Sequence, residues 1–369
     1  MIKKLEIEKF RGFEKFKVDD IGQINLLVGT NNCGKTSILE AIRLLKSKGN
    51  SYSLFFILVR RGEQIQYETE RNRRAEADLC RLFHGYQLLP KSNFSISCSN
   101  QYTEKLIATI DEIPYQSELF DKHPDFAGSY QFNVKWSKGN NKINEDYPIS
   151  PNGGLSYDYI RRARIKPSSE KEGDNIEFVP TASLSPQQII SLFDKIVLSP
   201  DEDLVLEALR IIEPDIVRVA SLGGADRRPV FSSGEYARGG FLIKSKKWEE
   251  RIPIGSLGDG IWRMLGLILS LISSKNGILL IDEIDTGLHH TVMSEMWKLI
   301  CKTAKKLNVQ VFATTHSSDC WKSLAQNATG SEFKNNEIRI HRINRYKNIP
   351  ETFTNQEMDI ALNRDIEVR

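Results

Sequence analysis

Three short segments carry side chains whose types and spacing can do chemistry together. Gly29-Thr-Asn-Asn-Cys-Gly-Lys-Thr36 fits the spacing G-x-x-x-x-G-K-[ST] without a mismatch, the pattern of a loop whose turned backbone aims several N–H groups at phosphate oxygens. In that reading Gly29, Thr30, Asn31, Asn32, Cys33 and Gly34 wrap the phosphates of ATP. Lys35 neutralises the β and γ groups, Thr36 offers its hydroxyl to Mg2+, and Ser37 continues the nucleotide-binding set. The second segment, Ile278-Leu-Leu-Ile-Asp-Glu283, is an apolar run ending in two carboxylates. Asp282 can support magnesium and its water shell, and Glu283, one step further, can position or deprotonate an attacking water. In the third, Gly255-Ser-Leu-Gly-Asp-Gly260, Ser256 and the amides of the following helix can grip a phosphate, with Gly258 permitting close approach. Alone, the carboxylate pair would read as a charged turn and the glycine segment as a helix cap. The phosphate loop upstream turns both toward nucleotide chemistry.

These residues need elements to hold them. The apolar run Ile24 to Val28 reads as a strand, and from Lys35 onward Ile38, Leu39, Ile42 and Leu45 recur at helical spacing until Lys46-Ser-Lys-Gly49 supplies a stop. Ahead of them Ile2, Leu5, Ile7 and Phe10 alternate with charged residues, a second strand. The interval from about 50 to 135 is mixed: an apolar run at 54–59, a helix predicted across 73–84, and antiparallel strands around 94–98, 104–110 and 130–135. Residues 137–156 and 166–176 are polar and read as mobile loops or as edges of an insertion, poor places for core residues either way. Helical spacing returns at about 186–197 and 201–212, with Ser199-Pro200-Asp201 as a helix start. Between about 252 and 340 helix and strand alternate: an apolar helix from Trp262 to Leu271, a strand at Ile278–Ile281, a helix from Thr291 to Leu307 and a strand at Val309–Thr314. That order implies a mostly parallel sheet covered by helices. Val292, Met293, Met296, Trp297, Ile300 and Ala304 form one apolar stripe, read as core.

Composition removes other classes. Hydrophobic residues make up 40% and charged residues 27% of the 369, which excludes a disordered chain, a collagen or a membrane bundle. Fifty-one basic against 48 acidic residues leave +3, too near balance to name a partner. Cys33, Cys80, Cys98, Cys301 and Cys320 are odd in number and scattered, neither a disulfide framework nor a metal motif, so a reducing compartment is expected. Adjacent His289 and His290 do not converge on one ion. No apolar stretch nears the roughly 20 residues a bilayer requires, and the opening Ile-Lys-Lys-Leu-Glu is no secretory leader; the expectation is a cytoplasmic protein with no membrane partner. Arg161-Arg-Ala-Arg-Ile-Lys166 and Lys244-Ser-Lys-Lys247 can each meet a nucleic-acid backbone or stand as solvated loops.

Together the motifs resemble the ABC-type ATPase heads of the structural-maintenance-of-chromosomes, RecF and overcoming-lysogenization-defect groups, and particularly compact bacterial AAA-family ATPases. The resemblance covers residues 1–48 and 250–320 most firmly. It implies an α/β P-loop NTPase with a mixed β-sheet flanked by helices and an inserted helical/β lid. It divides the chain into an ATPase lobe at 1–50, an inserted region and lid at 51–250, a second lobe at 251–345 and a tail at 346–369. In such heads two nucleotide sites form between two protomers, so Ser256 and Gly258 would serve the nucleotide held by a partner. The resemblance also gives Arg11, in Phe10-Arg-Gly-Phe13, a place beside the nucleotide, and gives His316 the sensing of the γ-phosphate. Asp285 and Thr286-Gly-Leu-His-His290 would lie in the loop that communicates across the dimer, although Leu288-His289 departs from the family's Leu-Asp. A magnesium-linking glutamine would be Gln64 or Gln66. The implied protein is a Mg-dependent ATPase that self-associates as a head-to-head dimer or higher oligomer. It would act with a separate effector chain, in bacterial anti-phage defence by analogy, with DNA or RNA open as partners. An ATP-dependent assembly scaffold with slow turnover and a RecF-like DNA-repair ATPase are the alternatives. No sustained heptads suggest a coiled arm, and with about 50 residues after His316 the expectation is that a nuclease or other effector is a separate chain.

Overall fold

The computed structural model describes residues 1–69, 72–113, 130–150, 152–157, 175–222, 240–328 and 337–368. The chain folds into two compact units, each assembled from separated stretches. The first comprises Met1–Ile21, Asn31–Asp174 and Ile343–Pro350, and the second Gly22–Thr30, Asn175–Arg342 and Glu351–Arg369.

The second unit is built on a six-stranded sheet in the order Ile176–Val179, Ile278–Ile281, Gln310–Thr314, Ile24–Val28, Ile338–Arg342, Glu351–Phe353. The first five strands are parallel and the last is antiparallel. The strands Ile278–Ile281, Gln310–Thr314 and Ile24–Val28 are buried along their whole length, as central parallel strands are. That is why they read as unbroken apolar runs. Helices Asp259–Ser273 and His290–Leu307 bury Ile261, Trp262, Leu265, Met296, Trp297 and Ile300 in one core with Leu26, Leu279 and Val311. The stripe predicted on the second helix is therefore core, and Trp297 Nε1 donates to the Cys320 carbonyl at 3.1 Å beneath it. Fully burying one such side chain contributes about 1.5–3 kcal/mol. Helices Pro186–Asp194 and Glu202–Ile212 lie where helical spacing placed them, the first closed by a Ser185–Gln188 capping box.

The first unit carries a six-stranded antiparallel sheet in the order Phe13–Val18, Lys4–Phe10, Asn93–Ser99, Thr103–Glu112, Tyr130–Lys138, Asn141–Pro148. Its inward row is set by register: Ile7 faces Ile96, Ile96 faces Leu106, and Leu106 faces Trp136. The helix Lys35–Lys46 buries Ile38, Leu39, Ile42 and Leu45.

Two expectations are corrected. Residues 73–84 do not form a helix: Asn72–Asp78 is a strand paired on both sides, with Gln64–Thr69 and with Gly154–Ser156, and a 3-10 turn Leu79–Leu82 follows. Pairing on both edges outweighs the favourable helix propensity of its Arg, Ala and Glu residues. Residues 137–156 are likewise neither loop throughout nor poor in core residues: Asn141–Pro148 extends the large sheet as its edge strand, and Tyr147, Ile149 and Leu155 are buried. A polar outer edge strand has the composition of a loop. The Arg161–Lys166 run lies outside the described residues.

Candidate nucleotide site

The phosphate loop leaves the Ile24–Val28 strand. Gly29 and Thr30 belong to the second unit and Asn31 onward to the first. Gly34 sits at φ +104° as the N-cap of the Lys35–Lys46 helix, and a Cβ there would stand 2.4 Å from Phe13 Cζ, so only glycine fits. Asn32 is left-handed at φ +60°. Lys35 is buried, with Nζ 3.9 Å from Cys33 Sγ.

Beside this loop, within the first unit, Arg11, Phe13, Asn32, Cys33, Gly34 and Ser37 share a cavity of about 90 Å³ with Arg61, Glu63, Tyr86 and Arg345. Arg11 fills the first position of the two-residue turn between Lys4–Phe10 and Phe13–Val18 at φ +52°, a conformation usually left to glycine. A non-glycine residue there carries roughly 1–2 kcal/mol of backbone strain. The turn is held from several sides. Arg11 N donates to the Leu82 carbonyl at 2.9 Å, and His84 Nδ1 lies 3.1 Å from the Arg11 carbonyl. Its guanidinium is only 3% exposed; Nε lies 2.8 Å from Glu40 Oε2, and Nη1 donates to both Glu63 oxygens at 2.8 and 3.1 Å. Glu40, on the loop's own helix, also accepts from Arg61 Nε and Nη2 at 2.8 and 3.0 Å, and Arg61 Nη2 donates to Ser37 Oγ at 3.3 Å. Arg11 Nη2 is buried without a hydrogen-bond partner.

In the second unit the carboxylate pair closes the Ile278–Ile281 strand. Asp282, 5% exposed, accepts from Thr314 Oγ1 at 3.0 Å and from Thr181 Oγ1 at 3.1 Å. A carboxylate is an oxygen-only ligand of the kind hard cations prefer, so the group is chemically suited to such a cation or its waters. Glu283 turns out of the sheet at φ +47°, with its amide donating to Thr314 Oγ1 at 2.8 Å. His316 follows the Gln310–Thr314 strand with Nδ1 3.7 Å from Glu283 Oε1, close but beyond a direct hydrogen bond. Thr315 Oγ1 donates to Asp285 at 2.6 Å. Ser256 stands exposed in a 3-10 turn Ile254–Leu257, and Gly258, at φ +86°, caps the Asp259–Ser273 helix.

Other candidates fall elsewhere. His289 and His290 lie with ring centroids 4.1 Å apart and their planes tilted by 43°, and among the described residues no group of three or more His, Cys, Asp or Glu is placed to hold a metal ion. Gln64 and Gln66 lie on the Gln64–Thr69 strand and do not line the cavity. In the second basic run Lys247 pairs with Glu213 and Asp215 at 2.8 and 3.1 Å, and Lys244 Nζ donates to the carbonyls of Trp248 and Glu249. Among the described residues no helix is long and apolar enough to cross a membrane. Sequence reading passed over Glu40, Arg61, Glu63, Thr181, Arg263 and Thr314. One of these had a signal: Arg263 is the only charge between Ile261 and Ile272.

A parallel-sheet α/β fold in which a phosphate loop follows one central strand and a carboxylate pair ends another defines a P-loop ATPase. The chain belongs to the AAA ATPase domain family, whose profile matches residues 1–201. A second profile, described as "AAA domain, putative AbiEii toxin, Type IV TA system", matches residues 135–319. Among curated relatives, a Helicobacter pylori protein named ATP/GTP phosphatase is 22% identical over 341 residues, 86% of each chain. An uncharacterized protein of Methanocaldococcus jannaschii is 30% identical over 155 residues, covering 38% of this chain and 69% of its own. A solved SMC head bound to the C-terminal winged-helix domain of ScpA is 14% identical at a TM-score of 0.47, covering 96% of this chain and 97% of its own.

Proposed function

We propose that the protein hydrolyses the β–γ bond of ATP, with Lys35 on the phosphates, Thr36 and Asp282 as the holders of Mg2+, and Glu283 orienting and deprotonating the attacking water. The observation that carries this reading is the built carboxylate turn. Asp282 is fixed by two threonine hydroxyls, while Glu283 projects beyond the strand toward His316. Bound magnesium would supply charge neutralisation for the β and γ oxygens. The chain's own residues do the rest. Gly34 lets the backbone close on the phosphates, His316 senses the γ group through Glu283, and Arg11 presents its unpaired Nη2 to the nucleotide.

Ser256 and Gly258 would complete the site of a second copy, giving a head-to-head dimer that closes on ATP. Their exposed turn suits that role. The toxin–antitoxin wording of the second profile supports a regulatory setting, and control of a separate effector, as in anti-phage defence, is proposed by analogy with the compact ATPase heads. The name of the Helicobacter pylori relative makes GTP the competitor to try. The test is steady-state turnover of wild type and Glu283→Gln, with mass measured with and without ATP. Loss of about a hundredfold or more in kcat is expected for the variant, and an ATP-dependent doubling of mass in both proteins. Undiminished turnover would remove Glu283 from its role. ATP-dependent assembly with no turnover in wild type would favour a scaffold.

A further inference from the structure

Arg263 is 2% exposed inside an otherwise apolar helix. A guanidinium does not shed its charge, and burying one is costly unless its donors are met. Arg263 meets them largely with main-chain carbonyls. Nη2 donates to the carbonyls of Asp282 at 2.9 Å and Glu283 at 2.8 Å, and Nη1 to those of Pro180 and Thr181. Consecutive carbonyls in an extended chain point to opposite sides, so two of them can converge on one nitrogen only where the chain reverses. The left-handed φ of +47° at Glu283 supplies that reversal. Its Cβ crowds the carbonyl in this conformation, and the surroundings must hold it there. Arg263 grips the peptide on its carbonyl side, while Thr314 Oγ1 accepts the Glu283 amide at 2.8 Å on the other.

We propose that Arg263 is a positioning residue for hydrolysis, holding the backbone of Glu283 so that its carboxylate stands ready for water. Because it lies about one turn into the helix that begins at Gly258, it also ties that carboxylate to the Ser256–Gly258 turn of the same chain. The inference rests on Glu283 being the water-orienting group. Any displacement of the helix start is carried through a rigid turn to the peptide that aims Glu283.

The test is Arg263→Lys beside Glu283→Gln. An ammonium keeps the charge but lacks the planar fork that serves carbonyls from two strands. The expected result is a fall of about tenfold or more in kcat, with KM and the affinity for a non-hydrolysed ATP analogue held within about twofold. Amide exchange at 283–287 should accelerate by about tenfold, while the Gln310–Thr314 strand and the interior of the Asp259–Ser273 helix keep their protection. Normal kcat in Arg263→Lys, with Glu283→Gln inactive, would overturn the positioning role while leaving Glu283 in place. Uniform loss of protection, with KM rising in step, would make Arg263 a core residue and overturn it as well. Normal turnover in Glu283→Gln would remove the reading on which the inference stands.

Discussion

In each unit a buried arginine helps to hold a left-handed position, Arg11 its own and Arg263 that of Glu283, and the two guanidiniums are satisfied in different ways. Arg11 is met mainly by the carboxylates of Glu40 and Glu63, with one long bond from Nη1 to the Arg81 carbonyl at 3.5 Å, and keeps Nη2 without a hydrogen bond, next to the phosphate-loop cavity. Arg263 is met by the carbonyls of Pro180, Thr181, Asp282 and Glu283. Carboxylates cancel the charge and fix the side chain, so what remains is a positioned donor. Carbonyls carry no net charge, and gripping four of them fixes the chain that bears them. On the proposed function the first arrangement would prepare a binding group, and the second a backbone.

The comparison breaks most visibly at Glu40, which holds both Arg11 and Arg61 from the helix that follows the phosphate loop. Removing one member of a buried ion pair costs about 3–5 kcal/mol because the partner stays buried and unpaired. Arg11 would keep Glu63, and the Arg61 side chain is 34% exposed and can turn to water. Glu40→Ala should therefore fall near the low end, about 3 kcal/mol in urea unfolding. Glu63→Ala should cost less, since Glu63 is partly exposed and Arg11 would keep Glu40. Equal costs would show that Glu40 is no hub.

Next in size is Arg11→Lys, which keeps the charge but removes the free Nη2 donor. A hydrogen bond to a charged group contributes about 1.5–3 kcal/mol, so fluorescent-ATP affinity should weaken by about tenfold or more. This is the mirror image of Arg263→Lys, where kcat moves and affinity does not. An unchanged affinity in Arg11→Lys would mean that the free donor does not reach the nucleotide.

What was legible in the sequence follows from the range of the interactions. The Gly29–Thr36 loop, the Asp282–Glu283 pair and the flanking elements are local patterns, and the strand and helix around each lie where periodicity put them. The Asn72–Asp78 strand was misread because its pairing partners, Gln64–Thr69 and Gly154–Ser156, lie at very different distances along the chain. Glu40 and Glu63 carried no signal at all. A carboxylate on a charged helix reads as surface until a guanidinium from residue 11 is folded onto it. Arg263 did carry a signal, a lone charge in an apolar helix, but its partners are carbonyls, which no residue type reveals. The roles of Arg11 and His316 came from resemblance rather than spacing.

The smallest expected effect reads the electrostatics of the first unit without nucleotide. Cys80 follows the Asn72–Asp78 strand, and burial first, then the hydrogen bond and charge of Asp78, push its thiol up to about 12; Arg81 opposes this and Glu63 adds slightly to it. At pH 8 an ordinary thiol is about one-quarter thiolate, whereas one at 12 is ionised in only about one molecule in ten thousand. Iodoacetamide should therefore modify Cys80 about a thousandfold more slowly in the folded chain than in urea. The sign for stability follows. The folded state keeps the proton longer than the unfolded chain, so this thiol favours the native state below its ordinary ionisation, and that contribution is lost as pH rises toward about 12. Glu63→Gln removes only the weakest of the raising influences, so Cys80 alkylation should quicken by no more than about threefold. A larger rise would mean that the Arg11–Glu63 pair also shields the thiol from solvent. The Arg11–Glu63 pair, already tied to the Leu79–Leu82 turn through the Leu82 and Arg81 carbonyls, would then set the solvent access of that turn as well as its backbone.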